Sequence, residues 1–450
     1  MRRMQAVFWG GLVLLAILWL LTDPAALAPD NFFTLRASVM QLTGILGMGC
    51  MSLAMILAMR PRWPERWFGG LDKMYRLHKW LGIGGLVLAV IHWLWAEGAR
   101  WAVGFGWLVR PPRGPRPPAS NWIEEALRAQ RGTAEWLGEW AFYGAALLIV
   151  VALIQRIPYH LFYKTHRLLA AAYLVLVFHS VVLFSFGYWV SPLGVLMAVL
   201  LAYGSVAAVV VLLRRVGAGR KVGGAITRLH YFPPLHVLEC DVDVSGGWPG
   251  HKAGQFAFVT ADTAEGAHPF TIASTWNPAE HRLTFIVKEL GDYTGRLNET
   301  LRVGQAVRVE GPYGYFTFDD SQPRQIWIGG GIGITPFIAR MKYLAQERAT
   351  GSATPRQAID LFHATSDYSD EAIAKLLADA DAAGVSLHVF HPPRDGRLSG
   401  DRIRRAVPEW REASIWFCGP TGFGDALRRD FASQGLPVAA RFHQELFAMR

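Results

Sequence analysis

Residues 78–92 read HKWLGIGGLVLAVIH, an apolar run that begins and ends with a histidine. A second apolar run is framed in the same way by His166 and His179. The two histidines of each run are separated by about 20 Å if the run is an α-helix. If both runs cross a membrane in the same direction, His78 and His166 lie at one level and His92 and His179 at another.

Two imidazoles that face each other across a helix pair are the axial ligands that a six-coordinate haem iron needs. We therefore predict that His78, His92, His166 and His179 are metal ligands and hold two stacked b-type haems. A single histidine inside a membrane could equally be a hydrogen-bonded polar residue of the bundle, but two matched pairs favour a functional site. His179 follows His166 by a spacing that does not return to the same helix face. That run must be locally tightened or distorted, or His179 must reach round.

Several apolar runs in the first half of the chain approach or exceed the ~18 residues that cross a hydrocarbon core. They lie at about 5–22, 38–59, 79–98, 136–155, 166–186 and 191–213. The part of the chain from residue 220 onward has the composition of a soluble protein. We therefore predict an integral protein of the plasma or inner membrane with six spans and the lipid bilayer as a partner.

The net charge of +10 follows from membrane topology and does not indicate nucleic acid. Most Lys and Arg residues flank the apolar runs, and they fall on one side of the membrane if the N-terminus is inside. The N-terminus and the soluble half are therefore predicted to be cytoplasmic. The loop at 99–134, with its Arg- and Pro-rich stretch 110–118, is the exception. Its arginines could attract an anionic substrate, but a solvated loop is the interpretation that we favour.

The soluble half changes its pattern near residue 323. Short alternating runs before that point are typical of an antiparallel barrel, and they lie at 225–231, 235–244, 254–260, 268–274, 282–288 and 306–310. Strand-like and helical runs alternate beyond it, as in a parallel sheet covered by helices, and they lie at 325–328, 335–348, 358–364, 370–382, 385–391, 399–406, 414–418 and 420–433. The predicted fold is multidomain: a six-helix transmembrane bundle at 1–216, an antiparallel β-barrel at 217–322 and an α/β parallel-sheet domain at 323–450.

The stretch His268-Pro269-Phe270-Thr271 lies in the fourth predicted barrel strand and is followed by Ser274. Alone it is equally a β-strand with a turn. Together with two histidine pairs upstream, it resembles the ferric reductase and NADPH oxidase superfamily, and the soluble half resembles ferredoxin–NADP reductases. The resemblance implies that this stretch and Ser274 bind FAD, that Phe270 stacks on the flavin and that Thr271 approaches its reactive nitrogen. His268 stands where soluble relatives place an arginine against the cofactor phosphates.

The FAD pyrophosphate is expected at the start of a short helix predicted at 293–301. Gly291 and Thr294 lie at its N-terminus, where backbone amides favour an anion. Lys288 could add a cation.

A glycine cluster between a predicted strand and a helix indicates a second pyrophosphate site, for NADH or NADPH. The residues assigned to it are Gly329, Gly330, Gly331, Gly333, Thr335 and Pro336. Cys418, Gly419 and Pro420 end a later strand at the matching edge of the sheet and resemble the family's element beside the nicotinamide. The alternative for Cys418 is a small buried residue.

The near-terminal Phe447 resembles the aromatic residue that covers the flavin and moves aside for hydride transfer, although it could also be a core residue of an edge strand. The choice between NADH and NADPH stays open. The hydroxyls of Thr365 and Ser366 could contact the ribose, whereas Asp367 would repel a 2′-phosphate unless Arg394 or Arg397 compensates.

The resemblance implies hydride transfer from NAD(P)H to FAD, followed by single electrons through two b-type haems to an acceptor outside. Thr271, Cys418 and Phe447 are the candidate catalytic residues. Ferric chelates are the favoured acceptor, and an oxidase that makes superoxide from O2 is the alternative. A third hypothesis is an electron-donating membrane subunit whose acceptor is a partner protein. The flavin and nicotinamide motifs argue against a haem transporter without redox turnover.

Overall fold

The computed structural model describes residues 2–110, 118–154, 156–351 and 357–445. The described chain forms two compact units. The first contains the described residues of Met1–Pro64 and Lys73–Val216, and the second contains those of Glu65–Asp72 and Gly217–Met449.

The part of the chain before residue 217 is helical. Its helices, in chain order, are α1 (Arg2–Thr22), α2 (Phe32–Ala58), α3 (Arg62–Phe68), α4 (Leu71–Gly104), α5 (Trp122–Ala129), α6 (Arg131–Leu153), α7 (Tyr159–His166), α8 (Leu168–Leu183) and α9 (Pro192–Leu212). Within the described residues, six segments are long and apolar enough to cross a membrane: α1, α2, α4, α6, α7 together with α8, and α9. The prediction of six membrane spans is therefore confirmed.

The helix of the third span extends well beyond the predicted run at 79–98, because the apolar run marks only the part of a helix that suits lipid, and nothing stops this helix before Gly104. The region predicted as a loop at 99–134 is also partly helical. The side chain of Asn121 accepts from the amide of Glu124 at 3.0 Å and caps α5. Residues 111–117 of the Arg- and Pro-rich stretch lie outside the described residues.

Arginines of this region are paired with acids of the same helices. Their ion pairs are Arg100–Glu97 at 2.7 Å, Arg128–Glu124 at 2.5 Å and Arg131–Glu135 at 2.9 Å. Such pairs reduce the positive field that would attract an anionic substrate.

The fifth span is interrupted, which agrees with the first of the two alternatives that the spacing of its histidines left open. Helix α7 ends at His166 and α8 begins at Leu168. The amide of Ala170 donates to the carbonyl of Arg167, three residues back, at 3.0 Å. Such a bond tightens the helix and changes the face on which the residues after it lie.

Tyr173 holds three helices of the first unit together. Its fully buried ring lies on α8, and its hydroxyl is 2.8 Å from the hydroxyl of Ser52 on α2. A Cβ at Gly204 on α9 would lie only 2.1 Å from this hydroxyl. Close approach of helices at small residues is the usual way in which membrane spans pack.

The second unit begins with an antiparallel sheet. Its strands are β1 (Lys221–Phe232), β2 (Val237–Val244), β3 (Phe256–Thr260), β4 (His268–Thr271), β5 (Arg282–Lys288) and β6 (Ala306–Tyr313), in the order β4-β3-β6-β1-β2-β5. A bridge between Ile272 and Phe285 joins the end of β4 to β5 and so brings the two edges together. The helix predicted at 293–301 is present as a 3-10 turn, Thr294–Arg296, followed by the single turn of α10 (Leu297–Thr300).

A parallel sheet with helices follows. Its elements are β7 (Arg324–Gly330), α11 (Thr335–Ala349), β8 (Ala358–Ala364), α12 (Asp370–Ala383), β9 (Ser386–Phe390), α13 (Pro392–Asp395), α14 (Gly400–Ala406), β10 (Ala413–Cys418), α15 (Thr421–Ser433), α16 (Val438–Arg441) and β11 (Phe442–Glu445). The strand order is β11-β10-β7-β8-β9. All pairs in this sheet are parallel, and the order in which strands are added reverses between β7 and β10. Ligands of such sheets bind at the carboxyl ends of the strands that flank this point.

Candidate functional site

The four histidines form two facing pairs within the first unit. The ring centroids of His78 and His166 are 5.9 Å apart, and those of His92 and His179 are 6.3 Å apart. An iron between two opposed imidazoles would place the ring centroids about 6 Å apart, because each metal–nitrogen bond is about 2 Å long. Both pairs therefore have the separation that an axially ligated iron requires.

Hydrogen bonds from neighbouring helices fix the orientation of these rings. Nδ1 of His78 is 2.9 Å from the carbonyl of Ala54, and Nδ1 of His179 is 2.8 Å from the carbonyl of Ala134. A carbonyl only accepts, so each Nδ1 carries the proton and donates it. The unprotonated Nε2 is then the nitrogen that is available to a metal.

Two further features concern the second pair, His92 and His179. Thr43 donates its hydroxyl to Val39 and accepts from Nδ1 of His92 at 3.0 Å. A Cβ at Gly138 would lie 1.9 Å from Nδ1 of His179, so the glycine leaves the space in which this ring lies.

A cavity of about 610 Å³ lies at the second histidine pair. Its lining includes His92, His179, Gly44, Gly47 and Gly85, and its size is within the range of ~300–1,000 Å³ that is typical of cofactor sites. In the described ranges, no three His, Cys, Asp or Glu side chains are grouped to hold a metal ion. Histidine pairs instead suit a metal whose other ligands come from a macrocycle.

The predicted flavin strand is β4, and Thr271 lies opposite Phe256 in its antiparallel partner. The hydroxyl of Thr271 is buried and has no hydrogen-bond partner within the described residues. A buried polar atom of this kind needs a partner, and a ligand atom would provide one. Phe270 is half-buried and borders the barrel core.

His268 and Pro269 precede Phe270 on β4. The ring of His268 stacks on Tyr293, with centroids 3.9 Å apart and planes 11° apart. Burial lowers the pKa of His268 to about 4. The imidazole is therefore neutral near pH 7 and brings no positive charge to a cofactor phosphate.

Ser274 and Thr294, which are predicted to contact FAD, accept hydrogen bonds from nearby backbone amides. The hydroxyl of Ser274 accepts from the amide of Thr284 at 3.1 Å. The hydroxyl of Thr294 accepts from the amides of Leu290 and Gly291, at 2.9 and 3.2 Å. The structure therefore shows a local structural contact for both side chains.

Lys288 forms an ion pair with Asp367, which follows β8. The sequence assigned Lys288 to a phosphate and Asp367 to the repulsion of one, and the pairing offsets both charges. Arg394 lies with its guanidinium 5.4 Å from the ring centroid of Tyr368 and pairs with Asp395 at 3.0 Å.

The glycine cluster and the predicted nicotinamide element meet at the carboxyl ends of β7 and β10. A Cβ at Gly333 would lie 2.2 Å from the carbonyl oxygen of Cys418, and one at Gly330 would lie 2.8 Å from Pro420. Gly331 has a left-handed φ of +55° and Gly419 has a φ of +159°. Only glycine permits so close a contact between the two loops.

The remaining predicted residues of this site are placed by the sheet and by α11. Gly329 lies directly beside Cys418, and Pro336 occupies the first turn of α11, where its missing amide costs no hydrogen bond. The hydroxyl of Thr335 donates to the carbonyl of Ile332 at 2.8 Å. The thiol of Cys418 is fully buried, and burial raises its pKa well above the usual value.

Glu445 is not among the residues that the sequence predicts for this site. It is buried on β11 beside Cys418, and its charge adds to the rise in the pKa of that thiol. An acidic residue two positions before Phe447 was the available signal. Phe447 itself lies outside the described residues.

The chain matches two family models. Residues 43–177 match the ferric reductase like transmembrane component, and residues 234–317 match an FAD-binding domain. The first match contains His78, His92 and His166, and the second contains β4.

Three relatives show the range of the similarity. The chain is 26% identical to the reductase component of propane 2-monooxygenase from Rhodococcus jostii (strain RHA1), with 43% of this chain and 55% of the relative covered. It is 28% identical to an NADPH oxidoreductase of Mycobacterium tuberculosis (45% and 52% covered). It is also 28% identical to a superoxide-generating NADPH oxidase heavy chain of Dictyostelium discoideum (39% and 38% covered). The chain spans about half the length of the first two relatives.

Neither a soluble reductase nor a membrane haem protein alone accounts for both matches. The chain combines a segment that matches the ferric reductase like transmembrane component with one that matches an FAD-binding domain, and in this combination it is similar to the ferric reductase and NADPH oxidase superfamily.

Proposed function

We propose that this protein moves electrons from cytoplasmic NAD(P)H through FAD and two b-type haems to an acceptor on the outer side of the membrane. The observation that carries the proposal is the two pairs of facing imidazoles, His78 with His166 and His92 with His179, with centroid separations of 5.9 and 6.3 Å. The asymmetric distribution of Lys and Arg supports an inside N-terminus and cytoplasmic soluble domains.

The residues have separate tasks. When bound, FAD accepts a hydride and releases electrons singly, while each haem iron carries one electron at a time. Thr271 directs its hydroxyl to the flavin, and Phe270 packs on the flavin ring. The loop at 329–333 binds the pyrophosphate of NAD(P)H, and Cys418 borders the nicotinamide. The role proposed for Phe447 is to cover the flavin until the nicotinamide displaces it.

The haem assignment is tested by an anaerobic dithionite difference spectrum with haem counting on the purified protein. We expect two b-type haems per chain, and loss of haem on replacing His92 with Ala while NAD(P)H still reduces the flavin. A wild-type protein without b-type haem, or a His92→Ala variant that reduces the acceptor at the wild-type rate, would contradict the proposal.

Ferric chelates are the acceptor that we propose. The purified protein receives NAD(P)H with ferric citrate under argon, or with air in the presence and absence of superoxide dismutase. Faster reoxidation by ferric citrate supports the reductase. Superoxide as the main product supports an oxidase, the activity named for the Dictyostelium discoideum relative.

A partner protein is the further alternative, because the Rhodococcus jostii relative is the reductase component of a larger enzyme. Slow reoxidation by both small acceptors, with recovery on adding a membrane extract, would favour it over a ferric reductase.

A further inference from the structure

The segment 65–72 connects the second and third spans in sequence, yet it belongs to the same compact unit as the flavin barrel. Glu65 is buried, with 6% of its surface exposed, and Oε1 accepts from the amide of Gly314 at 2.9 Å. The amides of Gly69 and Gly70 donate to the Glu65 carbonyl at 2.9 and 3.0 Å and end helix α3. The backbone that carries Glu65 is therefore fixed as well.

The linker that follows the sixth span contacts Tyr313, the residue before Gly314. The guanidinium of Arg220 lies 5.0 Å from the ring centroid of Tyr313, a cation–π contact. The hydroxyl of Tyr313 donates to Glu310 at 2.6 Å, and Lys221 lies 3.6 Å from the same carboxylate. Two segments that are each covalently joined to a membrane span thus converge on Tyr313 and Gly314.

These two residues adjoin the flavin strand. Phe256 pairs with Tyr313 on one side and with Thr271 on the other. The rings of Phe256 and Tyr313 are 5.9 Å apart, and a Cβ at Gly314 would lie 3.1 Å from the Phe256 ring. Phe256 is therefore the single residue between this turn and Thr271, and a displacement of the turn at Gly314 would also displace Thr271.

The hydrogen bond between the amide of Gly314 and the carboxylate of Glu65 belongs to a strong class of hydrogen bond. A carboxylate that accepts from a buried amide forms a charge-assisted hydrogen bond. Removal of the carboxylate would leave the amide of Gly314 without that acceptor in a buried place, and the turn would shift to find another.

We propose that Glu65 is a positioning residue of the flavin site: it ties the segment between the second and third spans to the turn at Gly314 and so fixes the strand that carries Thr271. The inference rests on the proposed role of β4 in binding FAD. In this proposal the segment 65–72 helps to position the flavin site in addition to connecting two spans.

The test uses the full-length protein in detergent and compares Glu65→Ala, Glu65→Gln and wild type. Three properties are measured: the FAD dissociation constant, the flavin midpoint potential and amide hydrogen exchange in a peptide containing Gly314. Glu65→Ala is expected to weaken FAD binding by about tenfold, to shift the potential and to accelerate exchange at Gly314. Glu65→Gln keeps an acceptor oxygen and is expected to stay within about twofold of wild type in affinity.

The exposed Glu412, in the same unit, provides the matched control, and Glu412→Ala is expected to leave all three properties unchanged. Wild-type FAD affinity and exchange in Glu65→Ala would overturn the inference, as would equal losses in the Ala and Gln variants. Should Glu65→Ala not fold, Glu65→Asp and Arg220→Met decide: both are expected to weaken FAD binding, and wild-type affinity in both would overturn it. Failure of the proposed function is recognised separately, because wild type would then bind no FAD.

Discussion

Gly138 lies directly against the imidazole of His179, because a Cβ at this position would be 1.9 Å from Nδ1. We expect Gly138→Ala to displace the ring, to break its bond to Ala134 and to remove about half of the bound haem. The measurement is the haem content per chain from the dithionite difference spectrum. Gly144→Ala, on the same helix and with open space around its Cβ, is the control and should retain both haems. Full haem content in Gly138→Ala would contradict this role of the glycine.

His268 gives the flavin barrel a dependence on pH. Burial lowers its pKa to about 4, whereas an unfolded histidine titrates near ~6.5. Between these two values the unfolded chain binds a proton that the folded chain does not, so the free energy of unfolding decreases as the pH falls. We expect the melting temperature of the flavin-containing unit to fall from pH 6.5 towards pH 4, and to fall less steeply in His268→Gln. Equal slopes would show that another group is responsible.

At the scale of elements, the sequence predicted what depends on local pattern. Long apolar runs and alternating runs give helices and strands directly, so the number of spans and the strands around β4 follow from the sequence, whereas the bounds of spans such as the third do not. The spacing between His166 and His179 indicated either a distorted helix or a His179 that reaches round, and the structure places a break at Arg167. The helix α5 was missed, because its apolar residues are few and its polar face reads as a loop. Contacts between distant segments, such as Glu65 with Gly314 and Lys288 with Asp367, depend on the tertiary fold, and no local pattern encodes them.

The meeting of β7 and β10 makes a prediction at the same scale. A Cβ at Gly333 would collide with the carbonyl of Cys418 at 2.2 Å, so Gly333→Ala must push the glycine loop away from the nicotinamide element. We expect KM for NAD(P)H to rise about tenfold while the FAD content is unchanged. Gly422→Ala on α15 has open space for its Cβ and serves as the control. An unchanged KM would mean that the two loops do not bind the nucleotide together.

For the molecule as a whole, the soluble module is a barrel and a nucleotide-binding sheet joined by ion pairs. Lys375 on α12 pairs with Glu239 on β2 at 2.6 Å. Lys288 at the end of β5 pairs with Asp367 after β8. The flavin-binding part therefore supplies a charge to the loop that is expected to meet the nucleotide ribose, and we expect nucleotide preference to depend on both parts.

Removal of that charge leads to a prediction about the open choice between NADH and NADPH. In Lys288→Met the carboxylate of Asp367 loses its cation, and the uncompensated charge repels a 2′-phosphate but not a ribose hydroxyl. We expect the ratio of kcat/KM for NADPH to that for NADH to fall about five- to tenfold, while Asp367→Asn raises it. The effect should shrink at high salt, because the pair is partly exposed. Steady-state kinetics with both nucleotides measure the ratio, and Lys252→Met, on an exposed pair with Asp319, is the matched control. A ratio that stays constant in both variants would place the choice of nucleotide elsewhere, at Arg394 or Arg397.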